Sequence, residues 1–186
     1  KAHGGGMVLD WGIHLLDQAL RIGEGRKLIS VYAELTNVTN EECDDGFRVT
    51  LIFEGDLSMY VEVTTSNFIE LPRWYVLGEN GSAVINDWDL NGEIVKVSDW
   101  ENRDAVPILA GVGLTKTMAP RTDDTIKHYP LPKVDSSWTQ FYENVFAALR
   151  GEEEQLITHD QQRRLLKLVD AIFESGNENK VVFFDK

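Results

Sequence analysis

The sequence predicts an α+β fold, in which a large, mostly antiparallel β-sheet carries helices on one face. Three observations lead there. A long apolar helix opens the chain, a run of short alternating strands joined by hairpin-type turns follows, and two further helices with a terminal strand close it. The chain has 186 residues, 42% of them hydrophobic and 26% charged, which predicts a single globular domain, residues 1–186, with one sizeable core.

The first helix follows Gly4-Gly5-Gly6 and runs to Ile22. At about 100° per residue, Asp10, His14, Asp17 and Arg21 fall within one strip of roughly 60°. Nearly every other position is apolar, including Val8, Leu9, Trp11, Ile13, Leu16 and Leu20. That pattern predicts a mostly buried helix whose ionisable seam faces a cleft. Gly12 lies away from the seam, where it costs about 1 kcal/mol relative to alanine, so close packing of helix on sheet is expected there. The preceding glycines allow backbone to approach a ligand, and the helix start offers free N–H groups and a positive dipole end. The same spacing also suits a solvated stripe with simple side-chain pairing.

Residues 22–27 read as a helix stop and turn. Residues 28–39 alternate, with Ser30, Tyr32, Glu34 and Thr36 set against Ile29, Val31, Ala33 and Leu35, which predicts a half-buried strand. An acidic turn at 40–45 leads to strands at 47–54 and 57–65, joined at Gly55-Asp56. Strands at 73–77 and 82–86 flank Gly78-Glu79-Asn80-Gly81, and residues 86–90 lead through Asn91-Gly92 into another at 93–98. Residues 104–124 read as a long loop, suited to covering a site, making a subunit contact, or neither. A short strand is expected at 126–129. Ser137-x-x-Gln140 predicts a capped helix with Trp138, Phe141, Tyr142, Val145, Phe146 and Leu149 at apolar spacing. Thr158-x-x-Gln161 caps the last helix, Ser175-Gly176 is expected to end it, and a final strand follows at 181–184.

Composition narrows the function. The net charge of −13 argues against nucleic acid and anionic membrane as partners. No apolar run approaches the roughly 20 residues that span a bilayer. No secretory leader is visible, and Cys43 is the single cysteine, so no internal disulfide framework forms and a cytoplasmic location is expected. A strand–GxGxxG–helix unit is missing, since Gly111-Val112-Gly113 lacks the third glycine. A Rossmann-type domain is therefore absent from this chain, which reads as a fragment.

His14 and Asp10 carry the sharpest chemistry. Hydride loss from an alcohol carbon requires removal of the hydroxyl proton, a task suited to histidine. Asp10, one turn earlier, can orient the imidazole and favour its protonated form. A metal site on Asp10, His14 and Asp17, with His3 as a fourth ligand, is the rival; His3 lies in a glycine arm, and no metal is expected. Asp87-x-Asp89-x-Asn91-Gly92 matches half a calcium loop, but Ser98 stands where a bidentate glutamate is needed, so a hairpin turn is expected. His128 and His159 have no evident partners in sequence and read as structural or surface residues.

Gly-Gly-Gly followed by Asp10-x-Gly12-x-His14-x-x-Asp17 resembles the signature that opens the second domain of the Gfo/Idh/MocA oxidoreductases. The order of helix, strand run, two helices and strand is similar to that domain from end to end. The resemblance implies an NAD(P)-dependent oxidoreductase acting on a sugar or cyclic polyol, with His14 as acid/base and Asp10 beside it at the substrate. It further implies Asp17 on a substrate hydroxyl, Arg73 and Trp74 near the substrate cleft, and Gly5 and Gly6 near the nicotinamide. NAD or NADP would be held mainly by the chain's own N-terminal Rossmann domain, along with a catalytic lysine that has no counterpart here. A homo-oligomer, dimer or tetramer, through the sheet is implied as well. The isolated chain is expected to be inactive. Two other readings remain: a non-catalytic sugar-binding and dimerisation module, and an NAD-dependent glycoside-processing enzyme.

Overall fold

The computed structural model describes residues 4–39, 41–101, 108–115 and 122–184. A π-helical turn, Val8–Gly12, leads into α1 (Ile13–Ile22), then β1 (Leu28–Thr36), β2 (Gly46–Phe53) and β3 (Ser58–Thr64). Next come β4 (Trp74–Gly78), β5 (Gly81–Ile85), β6 (Gly92–Val97), β7 (Ile108–Ala110), β8 (Gly113–Thr115) and β9 (Ile126–Pro130). Helices α2 (Thr139–Leu149) and α3 (His159–Glu178) and strand β10 (Val182–Phe183) follow. The fold is α+β, with antiparallel pairing throughout. No helix among the described residues is long and apolar enough to cross a membrane.

The strands do not form one sheet. They divide into a four-stranded sheet ordered β10-β1-β2-β3, a second ordered β4-β5-β6-β9, and the β7-β8 ribbon. The chain correspondingly forms two compact units, Lys1–Phe68 with Ser137–Lys186, and Ile69–Ser136. Tight turns join β2 to β3 and β4 to β5, whereas residues 65–73 between β3 and β4 carry no hairpin signal to continue the ladder.

In the first unit, α1 and α3 cover one face of the sheet. Val31, Phe47, Val49 and Leu51 from the strands meet Leu16 and Leu20 of α1 and Leu168 and Ile172 of α3, all buried. The alternation expected along β1 is broken at its start. Leu28 pairs with Phe53 and Ser30 with Ile52, so Ile29 is an extra residue in a bulge. Leu28 therefore points inward and Ile29 outward, the reverse of the simple pattern. Gly55 (φ +75°) and Asp56 (φ +59°) make the turn between β2 and β3 in the left-handed region that these residue types tolerate.

Helix α3 begins with the expected capping box: Gln161 N–H donates to Thr158 Oγ1 at 3.2 Å, and Thr158 N–H donates to Gln161 Oε1 at 2.9 Å. Ser175-Gly176 does not end it. The helix continues to Glu178 and stops at Asn179, with φ +49°. Ser175 is instead a buried bridge, its hydroxyl accepting from Ala33 N–H at 2.8 Å and donating to the Lys180 carbonyl at 2.6 Å. A Cβ on Gly176 would sit 2.6 Å from Leu35 Cγ, so this pair marks close approach of helix to strand.

Helix α2 departs further from expectation. Ser137 Oγ accepts from Thr139 N–H at 3.2 Å, and no side chain caps the helix. Its apolar positions stay largely open, with Phe146 58% and Leu149 79% exposed. The packed side is built on Ala147 and Asn144, whose amide donates to Glu153 and the Glu154 carbonyl and accepts from Leu156 N–H.

In the second unit Thr125 alone among the described residues is buried. The reversal before β6 lies at Asp87–Leu90 rather than at Asn91-Gly92, and residues 86–90 are not a strand. The Asp87 carboxylate accepts from Asn91 N–H and Nδ2, which makes this a turn, as the sequence indicated, with Leu90 at φ +61°. Part of the expected loop at 104–124 is ordered as the β7-β8 ribbon, and residues 104–107 and 116–121 lie outside the described residues.

Candidate active site

The seam helix starts in an unexpected way. Gly12 N–H donates to the Met7 carbonyl at 2.8 Å, an i→i−5 bond that defines the π turn holding Asp10. Gly12 permits it: a Cβ there would lie 2.9 Å from the Phe47 ring and 3.0 Å from the Met7 carbonyl oxygen. The extra residue in this turn changes the angular relation of Asp10 to His14 from that of a continuous α-helix. Both side chains are exposed, and no hydrogen bond or ion pair joins them. Among the described residues neither carries a polar side-chain partner, so both remain open to a ligand.

Asp17 and Arg21, one turn apart on α1, pair with each other. Arg21 Nε donates to Asp17 Oδ2 at 2.9 Å, the side chains being 41% and 28% exposed. That is the simple i,i+4 contact, and it leaves Asp17 with one carboxylate oxygen for a ligand. The helix is not mostly buried. Val8, Leu16 and Leu20 face the core while Leu9, Trp11 and Ile22 are exposed. The arrangement is an amphipathic helix with one buried side.

The glycine arm meets protein. Asp44 is buried, and its Oδ2 accepts from Val8 N–H at 2.8 Å while its carbonyl accepts from Met7 N–H at 3.0 Å. Leu9 and Asp10 N–H groups turn back to the Gly6 carbonyl. The helix start expected to be open to an anion is thus already capped by a carboxylate. A Cβ on Gly6 would fall 2.2 Å from Asp44 atoms, so Gly6 is required by this cap. Gly5 lies against Leu9. Sequence reasoning missed Asp44, because a cap supplied from 36 positions away leaves no local spacing to read.

Next to it, Asp45 braces the turn after β1. The backbone N–H groups of Thr39 first, then Val38, together with the Thr39 and Thr36 hydroxyls, hold its carboxyl down at about 2. A depressed carboxylate contributes fully above its ordinary pKa of 3.8 and is lost only as pH falls through about 2. The loop carrying Asp44 is therefore held throughout neutral and mildly acidic pH.

Arg73 and Trp74 lie in the second unit. The Arg73 guanidinium stacks on the Trp88 ring at 3.6 Å, and Trp74 pairs with Ile85 at the start of β4. Among the described residues no group of three histidine, cysteine or acidic side chains is placed to hold a metal ion. His128, read as partnerless, has one: its Nδ1 lies 2.7 Å from Glu93 Oε2, which raises its pKa.

Comparison with known proteins follows the same outline. The sequence pattern of the GFO/IDH/MocA C-terminal domain matches residues 1–84. The crystal structure of an NAD-binding protein from Listeria innocua is 43% identical over 98% of this chain and 53% of that one, with a TM-score of 0.87. The yvaA protein of Bacillus subtilis is 16% identical over 100% of this chain and 53% of its own, with a TM-score of 0.76, and shows the shared fold. The WlbA dehydrogenase of Bordetella pertussis, solved with NADH and UDP-GlcNAcA, is 19% identical over 98% of this chain and 46% of its own, with a TM-score of 0.62. The chain thus spans about half the length of the structures it matches. No curated protein sequence matches it.

Proposed function

As a C-terminal domain of the GFO/IDH/MocA family, this chain is, we propose, the substrate-binding half of an NAD(P)-dependent oxidoreductase acting on a sugar or cyclic polyol. Residues 1–186 would act as one such domain. The observation that carries the reading is His14: an exposed imidazole with no protein partner among the described residues, on a helix anchored from behind by buried Leu16 and Leu20. The match of nearly the whole chain to an NAD-binding protein at 43% identity supports it.

His14 accepts the proton from the substrate hydroxyl as the carbinol carbon is oxidised, and returns it in the reverse direction. Asp10 stabilises the imidazolium once it forms, and the free oxygen of Asp17 accepts from a neighbouring substrate hydroxyl. The nicotinamide, when bound, supplies the hydride acceptor. The donors around the seam helix suit only its edge, since Asp44 occupies the helix N-terminus where a phosphate would otherwise sit. Binding of the cofactor's own pyrophosphate then falls to a dinucleotide-binding domain, and residues 1–186 alone turn nothing over. Oligomerisation is assigned to the second sheet, where Tyr75, Val76 and Leu77 are exposed, whereas the open face of the first mixes Ser30, Glu34, Arg48, Thr50 and Glu62 with exposed Ile52, Tyr60 and Phe183.

The test is steady-state kinetics of the full-length protein on sugars and cyclic polyols with NAD and NADP. His14→Asn should lower kcat by about 10²–10⁴-fold while cofactor affinity, read by NADH fluorescence, stays unchanged. Undiminished turnover in the variant would remove His14 from the mechanism.

A further inference from the structure

The first unit contains a groove of about 420 Å³ lined by Arg26, Lys27, Arg163, Arg164 and Lys167, with Asp160, Leu28 and Phe184 completing it. Five cationic side chains and one carboxylate share this groove in a chain whose net charge is −13. Only Arg163 has an acidic partner among the described residues, Asp160 at 2.8 Å. Two of the guanidinium groups are tethered by uncharged acceptors. Arg26 Nη1 donates to the Glu54 and Gly55 carbonyls at 3.4 and 3.1 Å, and Arg164 Nη2 donates to the Arg26 carbonyl at 3.4 Å. Those bonds orient the groups without neutralising them, and the positive end of α3 adds to the same field.

The groove lies at the far end of the unit from the Asp44 cap. Leu28, which lines it, starts β1, and Thr36, bonded to Asp45, ends it eight residues later, a span of about 26 Å. It is thus separate from the cap that starts the seam helix, and it is no part of the proposed hydride-transfer site. Its volume is that of a small-molecule site. Leu28 is buried in the core, so the half-buried Phe184 supplies the apolar side chain beside the cationic groups.

We propose that this groove binds a phosphate-bearing small molecule of nucleotide size, carrying two or more negative charges. The Arg163, Arg164 and Lys167 side chains reach the phosphate oxygens from α3, and Arg26 and Lys27 reach them from the turn before β1. Phe184 receives the uncharged part of the molecule.

Calorimetric titration of the full chain with pyrophosphate and with ADP tests this. Saturable binding of both is expected, weakening as salt is raised. Arg163→Gln combined with Lys167→Gln should weaken it about tenfold or more. Both side chains are exposed, so an unchanged melting temperature verifies that the variant is folded, and Lys27→Gln supplies an independent second variant. His14→Asn should leave binding intact, which separates this site from the proposed active site. Absence of saturable binding, or equal binding in both groove variants, overturns the proposal. Capture of the chain by anionic vesicles or RNA with no pyrophosphate binding overturns it equally.

Discussion

Asp44 controls more of the candidate site than any residue in the seam itself. Its buried carboxylate accepts from Val8 N–H and its carbonyl from Met7 N–H, so it sets where the helix starts and hence where Asp10 and His14 stand. Removing the carboxylate leaves a buried donor unmatched. Asp44→Ala should therefore destabilise the protein by about 1–3 kcal/mol, read as a lower urea midpoint with an unchanged slope. A variant as stable as the parent would show that water replaces the carboxylate. The contrast with Asp17 is instructive. Its ion pair with Arg21 is solvent-exposed and contributes little to stability, so Asp17 is free to be spent on a ligand.

Among the elements, α3 carries the clearest consequence of packing. Gly176 sits where a side chain would meet Leu35, although the local sequence resembles a helix stop. Gly176→Ala ought to raise helix propensity, yet the contact with Leu35 at 2.6 Å opposes it. The clash should win, giving a lower melting temperature than the parent; a rise would mean that Leu35 moves aside at no cost. The π turn at the start of the seam helix shows a similar close approach. Gly12 lies where a Cβ would meet the Phe47 ring and the Met7 carbonyl, and the turn around it carries one residue more than an α-helical turn. Periodicity along the helix cannot report this close approach, because Phe47 lies on another element.

For the whole molecule the informative feature is the second sheet. Trp74, Val76, Ala83, Ile85, Ile94 and Tyr129 share one face by register, and none of them is buried. On the other face Tyr75 and Leu77 are 65% and 70% exposed. Open apolar surface of this kind among the described residues makes the sheet the candidate for self-association. If that sheet mediates self-association, Val76→Asp should shift the full-length protein to a smaller species in sedimentation velocity while leaving its secondary structure intact. An unchanged sedimentation coefficient would exclude the Val76 face from the interface.

Much was legible in the sequence because it depends on neighbours in the chain. Most strand periods, the Gly55-Asp56 turn, the Thr158–Gln161 capping box and the placement of His14 and Asp17 on one helix follow from short-range spacing, as does the α+β class. Tertiary structure decided the rest. It parted the strands into two sheets, turned Ile29 outward through a bulge, ran α3 past Ser175-Gly176, left the apolar side of α2 exposed and capped the seam helix with Asp44. The bulge, the run of α3 past Gly176 and the Asp44 cap each depend on an atom far along the chain, whose position is set by packing and hydrogen bonding of the folded chain and leaves no mark in the local pattern.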